Sequence, residues 1–567
     1  MITRVQSAPR VAERPIDAPR GISVRVIGAG ISGMLAAIKL REATSMVDIK
    51  IYEKNKDLGG TWYENRYPDI PAHIYQLSFD SNVAWSKFYA GQAEILRYWQ
   101  RVAEKYNLRQ LMHFSHRVTH AQWLADESRW EIEILNELTG ETIKDSCHVL
   151  ISAVGLLNAW KWPDIPGLED FQGAKMHSAA WDADFDPQGK DVAVIGAGSS
   201  GIQIVPSIQG AARRLDHYVR GQTWIATPMA AQELAKRGVD AGNFEYTDKE
   251  IKQWQQDPES YLEYRKQVEN TVQSDFEVTL RDSALQQQAR GYFQSLMAQR
   301  LKKKPEILKQ ILPSFAPLCK RLTPGPGYLE ALSEDNVEVI SSAIKKITKT
   351  GIETADGHHR EVDAIICATG FNTSFTGGFP IVGLDNQRLF GKSDRTRTST
   401  YLSMMVDTHP NLVMLLGPNS GVGAGNLLII MEHVAGYIAK LVAKMQRENI
   451  LSIRPSKQCV DDFTQYCESY FERTVYSEVC PSWYKADGKV AALWPGSSLH
   501  AIKALSEPRW EDFEYSHVDD NGTGWLGNGC TLADIDAKAD KSYYLKSLAQ
   551  IQHDLAPEVG GLDIAHP

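Results

Sequence analysis

The sequence predicts an α/β chain made of two Rossmann-like dinucleotide-binding domains, with a helical insert in the second. Three observations predict it. An apolar strand, a Gly-x-Gly-x-x-Gly turn and helical apolar spacing follow one another at residues 24–41, and the pattern begins again at residue 191. The strand after each turn ends in a residue of different charge, Glu53 in the first unit and Arg220 in the second. The chain has 567 residues, 43% of them hydrophobic, which is ample for a buried core and too long for one compact unit.

In the first unit, Val24-Arg25-Val26-Ile27 reads as a short buried strand. The turn Gly28-Ala29-Gly30-Ile31-Ser32-Gly33 follows at once, and Met34 to Arg41 has the spacing of a helix. Gly28 permits a tight turn, Gly30 lets the backbone approach a pyrophosphate, and Gly33 lets the helix pack closely. The helix start, with Ile31 and Ser32, offers N–H donors and the positive end of a dipole. Strand Asp48 to Tyr52 leads to Glu53, about 20 residues past the turn, where a carboxylate accepts from ribose hydroxyls.

The second unit repeats the order with Asp191 to Ile195, then Gly196-Ala197-Gly198-Ser199-Ser200-Gly201, then strand Leu215 to Val219. Arg220 stands where the first unit has its acid. A carboxylate there would repel a 2′-phosphate, whereas a guanidinium pairs with it bidentately. The first turn therefore suits FAD or NAD, and the second suits NADP. A lone turn of this kind also occurs without a ligand; two, each with a strand, a helix and an apt terminal residue, are far more specific. Val149 to Gly155 and Ala364 to Gly370 are apolar strands ending in glycine. Such strands return the chain to a nucleotide sheet or pass it between domains, and also fit any buried parallel sheet.

Composition excludes several other classes. Charged residues make up 23% and the net charge is −9, which argues against a general affinity for nucleic acid or anionic membrane. The seven cysteines are scattered and none form a CxxC pair, so neither a zinc site nor a disulfide scaffold is expected, and a reducing, cytoplasmic compartment fits. No uncharged apolar run reaches about 18 residues, so no membrane span is expected. The stretch Asn426 to Met445 is interrupted by Glu432, His433 and Lys440, and reads as a buried amphipathic helix.

Between the two turns lies Phe171-Gln172-Gly173-Ala174-Lys175-Met176-His177-Ser178-Ala179-Ala180-Trp181-Asp182. This resembles the FxGxxxHxxxW fingerprint of Baeyer–Villiger monooxygenases, and Phe171, Gly173, His177 and Trp181 match its fixed positions. Related N- and S-oxygenases usually end the motif in tyrosine, so Trp181 favours the ketone-oxidising branch. Three more segments carry the resemblance. Gly59-Gly60-Thr61-Trp62-Tyr63-Glu64-Asn65-Arg66-Tyr67-Pro68 is similar to the family's second signature beside the flavin ring. Cys319-Lys320-Arg321 with Leu322-Thr323-Pro324-Gly325-Pro326-Gly327-Tyr328 is similar to the segment bearing the catalytic arginine, in wording most like fungal enzymes of polyketide or terpenoid metabolism. Gly417-Pro418-Asn419-Ser420 is similar to the turn that returns to the flavin. The sequence departs from the family at Pro68, which Asp69 follows directly; Asp69 is then the family's active-site aspartate in a shortened loop.

The resemblance implies an NADPH-dependent FAD monooxygenase that inserts oxygen from O2 beside a ketone through a flavin C4a-peroxide, giving an ester or lactone. The alternatives are an N- or S-oxygenase of the same flavin family and a catalytically impaired paralogue. Such chemistry needs a dry site and a fixed positive charge. The resemblance assigns that charge to Arg321, which stays protonated at neutral pH, with Asp69 orienting it. Lys320 would join Arg220 at the 2′-phosphate, Trp62 and Tyr75 would flank the flavin ring, and Val118 would meet the adenine. Trp62, Tyr75 and Val118 suit an ordinary core equally well. His177 and Trp181 are read as organising the linker between domains and not as acid or base.

The expected organisation is a flexible leader at 1–20, an FAD domain from 21–155 and 385–567, an NADP domain from 156–230 and 316–384, and a helical insert at 231–315. The insert, rich in Gln, Glu, Lys and Leu, is expected to roof the active site. Trp483, Trp494 and Trp510 are expected to pack on the FAD domain. No zinc or other metal is expected.

Overall fold

Each glycine turn sits at the edge of its own five-stranded parallel sheet. The computed structural model describes residues 11, 13–64, 70–239, 242–373, 375–390, 399–518 and 522–547. The first sheet runs in the order Leu412–Met414, Val149–Ser152, Ile22–Ile27, Val47–Tyr52, Met112–His113. The second runs Ala174–His177, Ala364–Cys367, Asp191–Ile195, Arg214–Tyr218, Val337–Ile340. All the pairings are parallel. Strands covered on both faces need nearly continuous apolar side chains, and Val24, Val26, Val192, Ala193 and Val194 are all 0% exposed. Both glycine-ended strands take places next to a turn-bearing strand: Val149–Ser152 beside Ile22–Ile27, and Ala364–Cys367 beside Asp191–Ile195.

The two turns are built alike to within a few tenths of an ångström. Gly28 and Gly196 have φ of +108° and +112°, and a Cβ on either would lie 2.6 and 2.4 Å from the carbonyl oxygen of Ala153 and Ala368. A Cβ on Gly33 or Gly201 would sit 2.0 or 1.9 Å from the carbonyl oxygen of Gly28 or Gly196. The helices Ile31–Ala43 and Ser199–Gln209 thus press directly onto their own turns.

A mixed sheet of Ile381–Val382, His116–Leu124, Arg129–Asn136 and Thr142–Cys147, antiparallel except for the parallel edge strand Ile381–Val382, adjoins the first parallel sheet. Helix Leu427–Arg447 shares the first core with Ile31–Ala43. It starts at Asn426, whose side chain accepts from Leu428 N–H at 2.9 Å. Its charged interruption is internalised: the buried Glu432 accepts from the N–H of Ser78 at 2.8 Å. No helix among the described residues is long and apolar enough to cross a membrane.

Residues 231–315 carry the helices Ala231–Lys236, Asp248–Gln256, Pro258–Gln273, Ala284–Arg300 and Pro305–Ile311. Leu234, Tyr246, Trp254 and Tyr261 pack with Ile74, Phe88 and Tyr89 in one cluster. Arg265 donates to the carbonyls of His73, Gln76 and Leu77 at 3.1, 3.1 and 2.9 Å, which pins this loop under the helices. Trp494 lies in the first core and Trp510 packs against it, whereas Trp483 is 37% exposed.

Two expectations are corrected. The leader is not free over its described end: Ile16 N–H donates to Cys530 O at 2.9 Å, Asn528 N–H donates to Arg14 O at 2.8 Å, and Arg20 reaches Ile450 O. Cys530 and Asn528 of a distant C-terminal segment, and Ile450 at the start of strand Ile450–Pro455, are the partners, so local polarity did not reveal them. Second, Cys319 and Cys480 form a disulfide across a sequence separation of 161, with Cα atoms 6.4 Å apart. Cysteine spacing carries no signal for a pair brought together only by the fold. Cys147, Cys367 and Cys467 are buried free thiols.

Candidate active site

A cavity of about 1020 Å³ opens along the first turn. Gly28, Gly30, Ile31, Ser32, Glu53, Gly60, Thr61, Trp62, Tyr75 and Val118 line one part of it, and Ser199 and Arg321 line another. The cavity wall brings together residues as far apart in the chain as Ile27 and Leu493, as parallel sheets do when their strand ends converge. Asn65, Arg66, Tyr67, Pro68 and Asp69 lie outside the described residues.

Glu53 closes the end of the cavity by the first turn. It is 4% exposed and accepts from the N–H groups of Ala29 and Asn55, both at 2.8 Å. Burial raises its pKa, and the two backbone donors oppose that rise. These two bonds occupy only part of a carboxylate's acceptor capacity, leaving lone pairs for a ribose diol. A Cβ on Gly60 would lie 3.0 Å from Gly30 Cα, so the first turn and the second signature touch backbone to backbone. No side chain caps the helix at Gly30 or at Gly198, so the N–H groups there remain available to phosphate. The cavity's volume, the buried acid at one end and the uncapped helix start fit FAD.

Trp62 and Tyr75 are buried or nearly so, with ring centroids 5.0 Å apart, and the Trp62 Nε1–H donates to the Tyr75 hydroxyl at 3.0 Å. Burial pushes the Tyr75 hydroxyl up to about 12, so it stays protonated. Val118 is 4% exposed and belongs both to the cavity wall and to a hydrophobic core. Gly33 does not reach the cavity; it seats the helix on Gly28.

At the second turn, a Cβ on Gly198 would meet nothing within 4 Å, leaving room for a pyrophosphate. Ser199 Oγ is 2.6 Å from Thr323 Oγ1, which ties the helix start to the segment after Arg321. Gly196, Ser200 and Gly201 shape this turn but lie outside the cavity wall. Strand Arg214–Tyr218 ends two residues before Arg220, which is exposed. Lys320 donates to Gln222 O at 3.1 Å, and its pKa is lowered by burial and then by the charge of Arg220. The two cations are near enough to feel each other's charge, a chemistry that suits a phosphate.

Arg321 is exposed to the cavity and faces Tyr484. Burial raises the Tyr484 hydroxyl's pKa, and the Arg321 charge lowers it. Tyr484 and Trp483 also line the cavity. Sequence reading placed Trp483 only as packing on the FAD domain and did not single out Tyr484, for neither lies in a recognisable motif.

The four fixed fingerprint residues lie outside the cavity wall, on or beside Ala174–His177, the edge strand of the second sheet. His177 is 0% exposed, stacks on Trp160 at 4.6 Å between centroids, and accepts from Ala179 N–H through Nδ1 at 3.1 Å. Trp160 in turn lines the cavity. Burial lowers the His177 pKa, which keeps the ring neutral. Phe171 is buried, a Cβ on Gly173 would meet Asp363 O at 2.5 Å, and Trp181 packs against the second core and Phe185. No group of His, Cys, Asp and Glu suited to a metal occurs among the described residues.

Residues 26–91 match the NAD(P)-binding Rossmann-like domain. The chain is 37% identical over 545 residues to the FAD-binding monooxygenase tazF of Aspergillus terreus, covering 94% of this chain and 96% of that one. It is 31% identical to a Baeyer–Villiger monooxygenase of Pseudomonas aeruginosa, covering 84% and 88%. Among solved structures it is similar to OTEMO in complex with FAD and NADP, with TM-score 0.76 and 25% identity over 88% of this chain and 100% of that one. It is also similar to cyclohexanone monooxygenase from Rhodococcus sp. Phi1 bound to NADP+, with TM-score 0.74 and 26% identity over the same shares. With two glycine turns, a fingerprint between them and relatives aligned over nearly its whole length, the chain belongs to the FAD-binding Baeyer–Villiger monooxygenase family and is a flavin-dependent monooxygenase.

Proposed function

We propose that this enzyme holds FAD at the first turn, takes hydride from NADPH at the second, and inserts one atom of O2 next to a ketone carbonyl to give an ester or lactone. The observation that carries it is the single cavity joining Glu53 at the first turn to Ser199 and Arg321 at the other side. Bound FAD supplies the hydride acceptor and the activation of O2. The chain's own residues do the rest. Glu53 binds the adenosine ribose, Gly28 to Gly33 with Ile31 and Ser32 receive the pyrophosphate, and Gly60, Thr61, Trp62, Tyr75 and Val118 hold ring and adenine. Gly198 and Ser199 receive the NADPH pyrophosphate on a turn that Gly196, Ser200 and Gly201 shape, and Arg220 with Lys320 selects its 2′-phosphate. Ile74, Leu427, Met431 and Leu493 give the cavity apolar walls that keep water out. Arg321 keeps a fixed positive charge where negative charge builds on oxygen, a preorganised contribution usually larger than any other. Asp69 orients Arg321.

The domain reading goes with this: 21–155 and 385–567 serve FAD, 156–230 and 316–384 serve NADP, and 231–315 roofs the site. Phe171, Gly173, His177 and Trp181 organise the joint between the two. The wording of Leu322 to Tyr328 supports a polyketide or terpenoid ketone; five free cysteines beside the one described disulfide support a cytoplasmic location.

The test is a panel of cyclic, aryl-alkyl and steroid ketones, with an amine and a sulfide alongside, scored by NADPH consumption and product mass. Ketone products gaining one oxygen atom are expected. Oxygenation of the amine or sulfide with untouched ketones would overturn the ketone assignment.

A further inference from the structure

The one described disulfide lies beside the one arginine assigned to oxygen chemistry. Cys319 is two residues before Arg321, and Cys480 is three and four residues before Trp483 and Tyr484. Arg321, Trp483 and Tyr484 all line the cavity, and Arg321 faces Tyr484. Arg321 itself belongs to no helix or regular strand; it lies in the irregular stretch before Thr323–Pro324. The bridge therefore clamps two irregular segments together at the point where their side chains meet in the cavity.

Other contacts follow the same seam. Ala316 N–H donates to the Glu478 carboxylate at 2.8 Å, and Lys485 Nζ lies 3.4 Å from Cys480 Sγ and 3.6 Å from Cys319 Sγ. An ammonium beside two sulfurs favours thiolates over thiols, which eases exchange in either direction. Cys319 and Cys480 are 0% and 8% exposed, so the bond is shielded from bulk thiols while the fold is closed.

We propose that Cys319 and Cys480 are positioning residues for Arg321. Closed, their bond holds the guanidinium against Tyr484 at the cavity wall, and NADPH consumption is coupled to oxygenation. Opened, the Arg321 segment loses its tie to the Trp483–Tyr484 segment, and the reducing equivalents of NADPH leave as hydrogen peroxide. Opening takes two electrons and two protons and gives two thiols. A phosphine supplies the electrons and leaves as its oxide, with the oxygen taken from water. The proposal rests on the assignment of Arg321 above and adds what holds that residue in place.

The experiment uses the full-length, flavin-loaded enzyme. Non-reducing peptide mass mapping first establishes the Cys319–Cys480 bond. Four preparations are then compared with the oxidised wild type: Cys319→Ser, Cys480→Ser, the double variant, and wild type reduced with a phosphine that is removed before assay. The readouts are product and peroxide per NADPH, with cyclohexanone and then the best ketone of the panel as probes, and anaerobic flavin reduction by stopped flow. Because misplacing a reacting group by ~1 Å costs up to about 10²-fold, product per NADPH should fall by about ten- to a hundredfold. At saturating NADPH, flavin reduction should stay within about twofold: Lys320, next to Cys319, is assigned to holding the 2′-phosphate, so a shift there raises the KM for NADPH and leaves the limiting rate of hydride transfer. All four preparations should agree, and reoxidising the reduced wild type should restore coupling, which a mere loss of thermal stability would not mimic. Unchanged coupling in the reduced wild type, or no bridged peptide, overturns the proposal; so does an equal loss of flavin reduction. If the serine variants fail to take up flavin, the reduced wild type decides. Arg321→Ala separates the two layers: normal product from it sinks the assignment of Arg321, whereas impaired Arg321→Ala with coupled cysteine variants sinks only the clamp.

Discussion

Tyr52 and Tyr218 occupy equivalent places at the two strand ends, each accepting from the first glycine of its turn; Glu53 follows one residue on and Arg220 two, and the proposed function makes their opposite charges select the nucleotide. Arg220 is exposed and stands beside Lys320, so it is free to pair with a dianionic group. Charge-assisted hydrogen bonds contribute about 1.5–3 kcal/mol. Arg220→Ala should therefore weaken NADPH by about 10–100-fold and leave NADH nearly unchanged, read as KM or Kd for each. An equal loss for both cofactors would remove Arg220 from the 2′-phosphate. Arg321→Ala should cost at least about 10²–10³-fold in oxygenation while stopped-flow flavin reduction survives. Arg321→Lys should rescue little, since an ammonium lacks the planar fork. If Asp69 orients Arg321, the double variant with Asp69→Ala should be scarcely worse than Arg321→Ala alone; fully additive losses would end that coupling.

At the scale of elements, the matched turns make matched but separable predictions. A Cβ on Gly201 would be 1.9 Å from a backbone carbonyl oxygen, and one on Gly33 would be 2.0 Å from its counterpart. Neither neighbour is a flexible side chain, so the helix must lift from its turn. Gly201→Ala should keep the yellow flavin and lose NADPH affinity, whereas Gly33→Ala should be purified without flavin. Flavin absorbance and NADPH titration read both, and loss of flavin from Gly201→Ala would show that the two units are not separable. The fingerprint makes a different prediction. His177 is buried, its pKa lowered by that burial, and stacked on Trp160, a cavity-lining residue, which supports the proposal that it positions the joint and is not an acid or base. His177→Ala and Trp181→Ala should retain flavin yet release more peroxide per NADPH. A variant that loses one limb of the pH profile with coupling intact would make His177 an acid or base instead.

The whole molecule buries histidines without charging them, and this sets its response to acid. Burial lowers His73 to about 3 and His217 and His409 to about 4. In the unfolded chain each titrates near its ordinary value of about 6.5. Between those values the unfolded chain binds protons that the folded one refuses. Stability is then full above about pH 6.5 and falls as pH drops toward about 4, by up to about 1.4 kcal/mol per pH unit for each histidine. Urea midpoints should decline from pH 7.5 to 5, and His217→Gln should decline less. A variant with an unchanged decline would show that His217 is not part of the acid response.

The sequence by itself determined the two nucleotide units, their opposite charge preference, the helical character of 231–315 and the family. Each of these is written in contiguous residues: a turn needs glycine at fixed positions, and a strand buried on both faces needs an apolar run. The burial of Leu427–Arg447 was legible for the same reason, since charges such as Glu432 break the run that a membrane span requires. Tertiary structure alone decided the rest. It placed Tyr484 against Arg321, set Trp160 on His177, tied residues 14–20 to the C-terminal segment and to Ile450, and paired Cys319 with Cys480 over 161 positions. These contacts join segments far apart in the chain, and their energy comes from desolvation and close approach, neither of which has a period or spacing that a linear reading can detect.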